Sequence, residues 1–158
     1  MHLSLDRSAH IFSDLYAMKP LNHKSQRVTY MDRCRLGQFL DSPESRAWGN
    51  RRCRAKLEVV LEQAKPVEAQ FAPDNLVTMN TTVRLADLLS KKRRTVTLVY
   101  PDDVDLASDG ISILDPLGTA LLGRKVGDVI QCPAEKCQRR FRVDEVVYQP
   151  EHAGAFHL

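Results

Sequence analysis

The sequence predicts an α+β protein: a short N-terminal antiparallel helical hairpin, then a twisted antiparallel sheet carrying one short helix. Three observations predict it. Apolar residues recur at helical spacing between Thr29 and Lys65. From Leu76 onward they alternate instead, as in half-buried strands. Between two of those alternating runs lies Ile111–Asp128, ISILDPLGTALLGRKVGD, which reads as strand, capped short helix, tight turn and strand. A sheet with a helix packed on one face is the α+β architecture.

Residues 1–27 show no sustained periodicity, and Pro20, Asn22, His23, Lys24 and Ser25 are loop-formers or solvated polar residues, so an extension is expected there. Residues 28–66 are expected to form the hairpin. Thr29, with Asp32 three residues on, resembles a capping box opening a first helix that runs to Leu40, with Leu36, Phe39 and Leu40 on one face. Asp41-Ser42-Pro43-Glu44 supplies the turn, with Ser42 as N-cap and Pro43 at the first helical position, where its missing N–H needs no partner. The second helix is expected to run to Lys65 with Cys53, Leu57, Val60, Leu61 and Ala64 as its stripe, although Gly49 and Asn50 weaken its first turns. Pro66–Asn75 reads as a linker ending in a Pro73-Asp74-Asn75 turn.

Residues 76–151 are expected to be the sheet domain, with strands over Leu76–Leu85, Arg94–Tyr100, Val129–Cys132 and Arg139–Tyr148 and a bulge near Glu145. Ile111–Leu114 is a shorter β-prone run. Asp115-Pro116 ends it and opens a helix through Leu117, Ala120 and Leu121, with Asp115 as a candidate cap. Gly123 falls where a C-cap belongs, and Gly127-Asp128 turns the chain into the next strand.

The chain has 158 residues, 43% hydrophobic and 27% charged, which is ordinary for a soluble globular protein. No stretch has the apolar length of a membrane span, and the N-terminus lacks a basic-then-apolar signal, so the cytoplasm is the expected compartment. The net charge of +3 is mild, but Arg51–Lys56, Lys91–Arg94 and Arg139–Arg142 are locally basic. Each reads first as a solvated face and second as a surface for an acidic or phosphate-bearing partner, with little aromatic residue interleaved for base stacking. The five histidines lie near the termini and are expected to be solvated. Neither Cys132/Cys137 nor Cys34/Cys53 has the spacing of a zinc knuckle, and all four read as small buried hydrophobes under reducing conditions. No phosphate-binding glycine loop or nucleophile elbow occurs. The expectation is no catalytic residue, no metal and no cofactor.

The Ile111–Asp128 stretch, Leu76–Val83 (LVTMNTTV), Thr97–Pro101 (TLVYP) and Val147–Glu151 (VYQPE) with Ala153-Gly154 resemble, in that order, motifs of the GreA/GreB family of bacterial transcription factors and its Rnk branch. The resemblance covers roughly the second half of the chain. It implies an FKBP-like sheet, RNA polymerase as the partner, and a non-catalytic role near the polymerase secondary channel in competition with Gre factors. Carried over residue by residue, it names Asp115, Pro116, Leu117 and Gly118 as the docking loop. It also singles out Asp41 and Glu44, which have the D-x-x-E spacing of the acidic pair that Gre factors bring to the polymerase metal. A first helix of about 12 residues reaches only about 18 Å, far less than the Gre coiled coil. The pair is therefore expected to end one helix and favour the start of the next. Two rivals remain: transcript-cleavage stimulation through Asp41 and Glu44, and an FKBP-like prolyl isomerase. The latter needs an aromatic-lined pocket, for which the C-terminal half offers only Tyr100, Phe141, Tyr148 and Phe156.

Overall fold

In the computed structural model, which describes residues 26–133 and 138–156, the first helix starts where its capping residue stands. The Thr29 hydroxyl accepts the Asp32 N–H at 3.0 Å, and α1 (Tyr30–Asp41) follows, burying Leu36 and Leu40. Ser42 caps α2 (Pro43–Ala47) by accepting the Ser45 N–H at 3.3 Å. A continuous second helix does not form. Gly49 takes φ +79°, and the Asn50 side chain accepts the Arg52 N–H at 2.8 Å to restart the chain as α3 (Arg51–Gln63). The break has a steric cause as well, since a Cβ on Gly49 would lie 2.6 Å from the Leu114 Cβ. α3 buries the expected stripe of Cys53, Leu57, Val60 and Leu61.

Two strands absent from the sequence reading clasp the helical stretch. β1 (Arg27–Thr29) pairs in parallel with β2 (Lys65–Val67), setting Val28 opposite Pro66. Pro66, expected in a linker, is tolerated because this small sheet has only edge strands. Gln26 is buried just before β1 and donates its side-chain amide to the Leu122 carbonyl at 2.9 Å. The expected extension otherwise lies outside the described residues.

The main sheet has five strands: β3 (Thr82–Asp87), β4 (Arg93–Val99), β5 (Gly110–Ser112), β6 (Val129–Pro133) and β7 (Gln138–Tyr148), in the order β5-β4-β3-β7-β6. It is mixed rather than wholly antiparallel, because β5 pairs in parallel with β4, Leu98 opposite Ile111. The expected irregularity is present, with register shifts between β3 and β7 beside Glu145. The first long strand starts at Thr82, not Leu76. Upstream, Thr78 and Thr81 bond each other's side chains at 2.8 Å, the Thr78 N–H donates to the Thr81 hydroxyl, and Asn80 takes φ +60°. Local side-chain bonds thus displace the strand ladder. α4 (Pro116–Leu121) sits beside β5 and β6, and Gly123 follows it at φ +76° as the expected cap glycine.

One hydrophobic core serves all of this: Leu36 of α1, Leu57 and Val60 of α3, Val83 and Leu98 of the sheet and Leu121 of α4 belong to a single buried cluster. At its edge the Phe39 and Tyr100 rings meet edge-on, 6.2 Å apart. The helical stretch is also held by a polar contact. Asp32 is 2% exposed, and its carboxylate accepts the Met79 N–H at 3.1 Å. Burial pushes this carboxyl up to about 6; the Met79 N–H opposes the shift, nearby Glu151 adds to it, and the Thr29 hydroxyl and Arg35 oppose it.

The folded value lies above the ordinary 3.8, so the native state holds its proton longer than the unfolded chain does. The Asp32 contribution to stability is therefore intact below about pH 4 and is lost as pH rises to about 6, by about 3 kcal/mol in total. Asp32→Asn keeps an acceptor for Met79 and removes that loss. In urea unfolding, the variant should gain on wild type steadily between about pH 4 and pH 6 and level off above; a gap independent of pH would refute the assignment.

Candidate functional site

The corner after β5 is built from backbone contacts that leave it little freedom. Asp115 is exposed, and its N–H donates to the Ser112 carbonyl at 3.0 Å while its carbonyl accepts the Thr119 N–H at 2.9 Å. Its carboxylate does not cap the helix as expected; it turns back to accept the Ser112 N–H at 3.3 Å. The Ser112 hydroxyl accepts the Leu114 N–H at 3.1 Å, and the Thr119 hydroxyl donates to the Ile113 carbonyl at 2.6 Å. Gly118 permits the closest approach, because a Cβ there would fall 1.9 Å from the Ser112 carbonyl oxygen. Of the four residues singled out in this loop, Asp115 and Pro116 reach the surface. Leu117, 8% exposed, and Gly118 are buried beneath them.

Beside Pro116 runs a mainly apolar groove of about 280 Å3 between α3, α4 and β6, lined by Val59, Val60, Ala120 and Ile130 and by the cations Lys56 and Arg124. Arg124 is 8% exposed, and its Nε donates to the Ala120 carbonyl at 3.2 Å. Burial pulls its pKa down, against the opposing charge of Asp128. None of these lining residues stood out as a site in the sequence. The one available signal was Val59, an apolar residue outside the α3 stripe and 39% exposed.

Asp41 and Glu44 are both exposed, on the turn between α1 and α2. That turn is stabilised without them: the Ser42 hydroxyl donates to the Phe39 carbonyl at 2.7 Å, and Arg54 Nη2 donates to the Leu40 carbonyl at 2.6 Å. The helices on either side have 12 and 5 residues, about 18 and 8 Å long, and the 13-residue α3, about 20 Å, begins only after the break at Gly49. Among the described residues no three His, Cys, Asp or Glu side chains cluster as metal ligands. Cys34 is exposed, whereas Cys53 is buried with Thr119 as its hydrogen-bond partner, and burial pushes its thiol up. Cys137 lies outside the described residues, as do all the histidines except the exposed His152.

Residues 72–148 match the family model described as the C-terminal part of the transcription elongation factors GreA/GreB. The regulator of nucleoside diphosphate kinase of Escherichia coli K12 is 32% identical over 133 residues, spanning 83% of this chain and 95% of the relative. The chain belongs to the GreA/GreB family. A second relative, the transcription elongation factor GreA of Thermotoga neapolitana, is 30% identical over 116 residues, covering 70% of this chain and 74% of its own. The solved structure of a GreA/GreB elongation factor from Nitrosomonas europaea superposes with a TM-score of 0.65 at 38% identity, covering 78% of this chain and 99% of that one. This chain is accordingly a Gre-like, transcription-associated factor. These GreA/GreB relatives are named as regulators or elongation factors, not for a reaction they catalyse. Among the described residues no helix is long and apolar enough to cross a membrane.

The two glycines on the helices make opposite predictions. Gly118→Ala drives a methyl into the Ser112 carbonyl and should destabilise the protein by about 3 kcal/mol or more. Gly37→Ala in α1, where an added Cβ meets nothing within 4 Å, should stabilise it by about 1 kcal/mol. Chemical denaturation of the two variants against wild type measures both signs.

Proposed function

We propose that this GreA/GreB-family chain is a non-catalytic cytoplasmic regulator that docks on bacterial RNA polymerase near its secondary channel, where it competes with Gre factors. In this reading residues 76–151 form an FKBP-like domain that makes the contact. Residues 28–66 form a short antiparallel helical hairpin in front of it, and residues 1–27 an extension. One observation carries the proposal: Asp115 stands exposed and Pro116 half-buried on a corner locked from below by Ser112, Gly118 and Thr119. A rigid corner loses little entropy on binding, Asp115 offers a charge to a basic partner, and the adjoining groove can take an apolar side chain. Leu117 and Gly118 serve as the frame of that contact, not as its surface.

The competing reading is stimulation of transcript cleavage through Asp41 and Glu44, favoured by the exposure of both carboxylates on one turn. Length weighs against it. Helices of about 18–20 Å whose connection returns at Gly49 to pack on Leu114 hold the acidic turn close to the sheet. The effect on nucleoside diphosphate kinase recorded in the name of the Escherichia coli relative would be an indirect consequence of altered transcription.

Capture of RNA polymerase by immobilised wild type should fall at least about tenfold with Asp115→Lys, equivalent to about 1.4 kcal/mol or more. Undiminished capture would remove Asp115 from the contact. On a stalled elongation complex the wild type should leave transcript cleavage unstimulated. Stimulated cleavage that disappears in Asp41→Asn would overturn the proposal in favour of the competing reading.

A further inference from the structure

We propose that the end of the sheet formed by the β3–β4 turn and the start of β7 binds the phosphate backbone of a nucleic-acid duplex, without reading its sequence. The topology brings two basic clusters, far apart in the chain, to one end of the sheet, with Arg93, Arg140 and Arg142 on its outer face and Arg94 and Arg139 on the face where Leu85 and Phe141 are buried. The turn is closed by the Asp87 N–H on the Lys92 carbonyl and the Lys91 N–H on the Asp87 carbonyl, both 2.9 Å, with Lys91 in the left-handed region at φ +61°. The Leu88 N–H then donates to the Arg140 carbonyl at 2.9 Å, which lays the turn against β7. Lys91, Lys92, Arg93 and Arg94 are thereby placed beside Arg139, Arg140 and Arg142, and all seven are exposed.

The charge there is poorly neutralised. Asp87 pairs with Arg139, and Asp144 lies 3.5 Å from Arg93 and 2.7 Å from Arg142. Lys91, Lys92, Arg94 and Arg140 make no ion pair among the described residues. Seven cations against two carboxylates is a larger positive excess than the +3 of the whole chain, so the remainder is slightly acidic and the positive field is concentrated at this end.

The geometry favours a phosphate backbone over other polyanions. Arg93 and Arg142 both oppose Ala86 from its two neighbouring strands. Arg140 lies two residues from Arg142, about 7 Å along the same face, a separation on the scale of neighbouring phosphates along one backbone strand. Five of the seven cations are arginine, whose planar fork matches phosphate oxygens. No aromatic residue is exposed among them. Single strands are usually held on such stacking platforms, so a duplex with its bases already paired is the better fit. β4 runs away from this end, and β5 pairs with its far half, Thr97–Val99, before the chain reaches Asp115. The surface is therefore separate from the polymerase-docking corner and does not depend on it.

Binding of the full chain to a labelled mixed-sequence duplex of about 20 base pairs, followed by fluorescence anisotropy, tests the proposal. With about four phosphate contacts, affinity should fall by roughly 100-fold between about 50 and 200 mM salt. Arg140→Gln/Arg142→Gln should weaken binding at least about tenfold at the low-salt end and cut the salt slope by about half. Lys91→Gln/Lys92→Gln on the turn should do the same, so the reading survives if one double variant folds poorly. Arg51→Gln/Arg52→Gln, in the exposed basic cluster on α3, should bind as wild type does. Four results would overturn the proposal: salt-independent binding, an equal loss in the α3 control, a single strand bound more tightly than the duplex, or polyglutamate of matched charge displacing the duplex as effectively as unlabelled duplex. The last would point to an acidic protein instead.

Discussion

The carboxylate of Asp32, buried and bonded to the Met79 N–H, decides what kind of molecule this is. It joins the first turn of α1 to the irregular segment leading into β3. The apolar face of the same helix enters the core that the sheet uses. A charge-bearing group in that position is disfavoured by burial, so the contact holds only while surrounding packing keeps its partners aligned. The helical stretch is consequently part of the body of the protein.

The corner after β5 follows from a different local rule. Pro116 at the first position of α4 leaves no unmet N–H, and Gly118 lets the helix settle directly on the Ser112 carbonyl. Two residues are pushed inward so that the two before them can be held outward. The same compression shapes the neighbouring groove, because α4 and α3 both contribute to its walls. The exposed corner and its support thus come from one short run of sequence.

What could be read beforehand was what local chemistry decides. The Thr29 cap, the α3 stripe, the α4 start at Pro116 and the left-handed Gly123 all depend on neighbours a few residues away. Long-range partners were not legible. The sequence already showed Gly49 as weak for a helix, but not that Leu114, 65 residues on, would leave no room for a Cβ there. β5 has only three residues, and its parallel pairing with β4 depends on how the intervening loop returns. Thr78 alternates with Val77 and Met79 as in a strand, yet its side chain bonds that of Thr81 while Asn80 takes φ +60°, which bends the chain. Of the candidate site, Asp115 and Pro116 were legible as a turn; the burial of Leu117 and Gly118 and the groove beside them required three elements to be in place.

The parallel clasp of β1 and β2 anchors both roots of the helical stretch, Arg27 opposite Lys65. Growth in this arm is therefore confined to its outer end. Seven residues inserted on each limb near Ser42 would lengthen it by about 10 Å without disturbing the clasp or the Asp32 contact beneath it. Reach is in that sense an adjustable dimension of the scaffold, separable from the foundation that holds it.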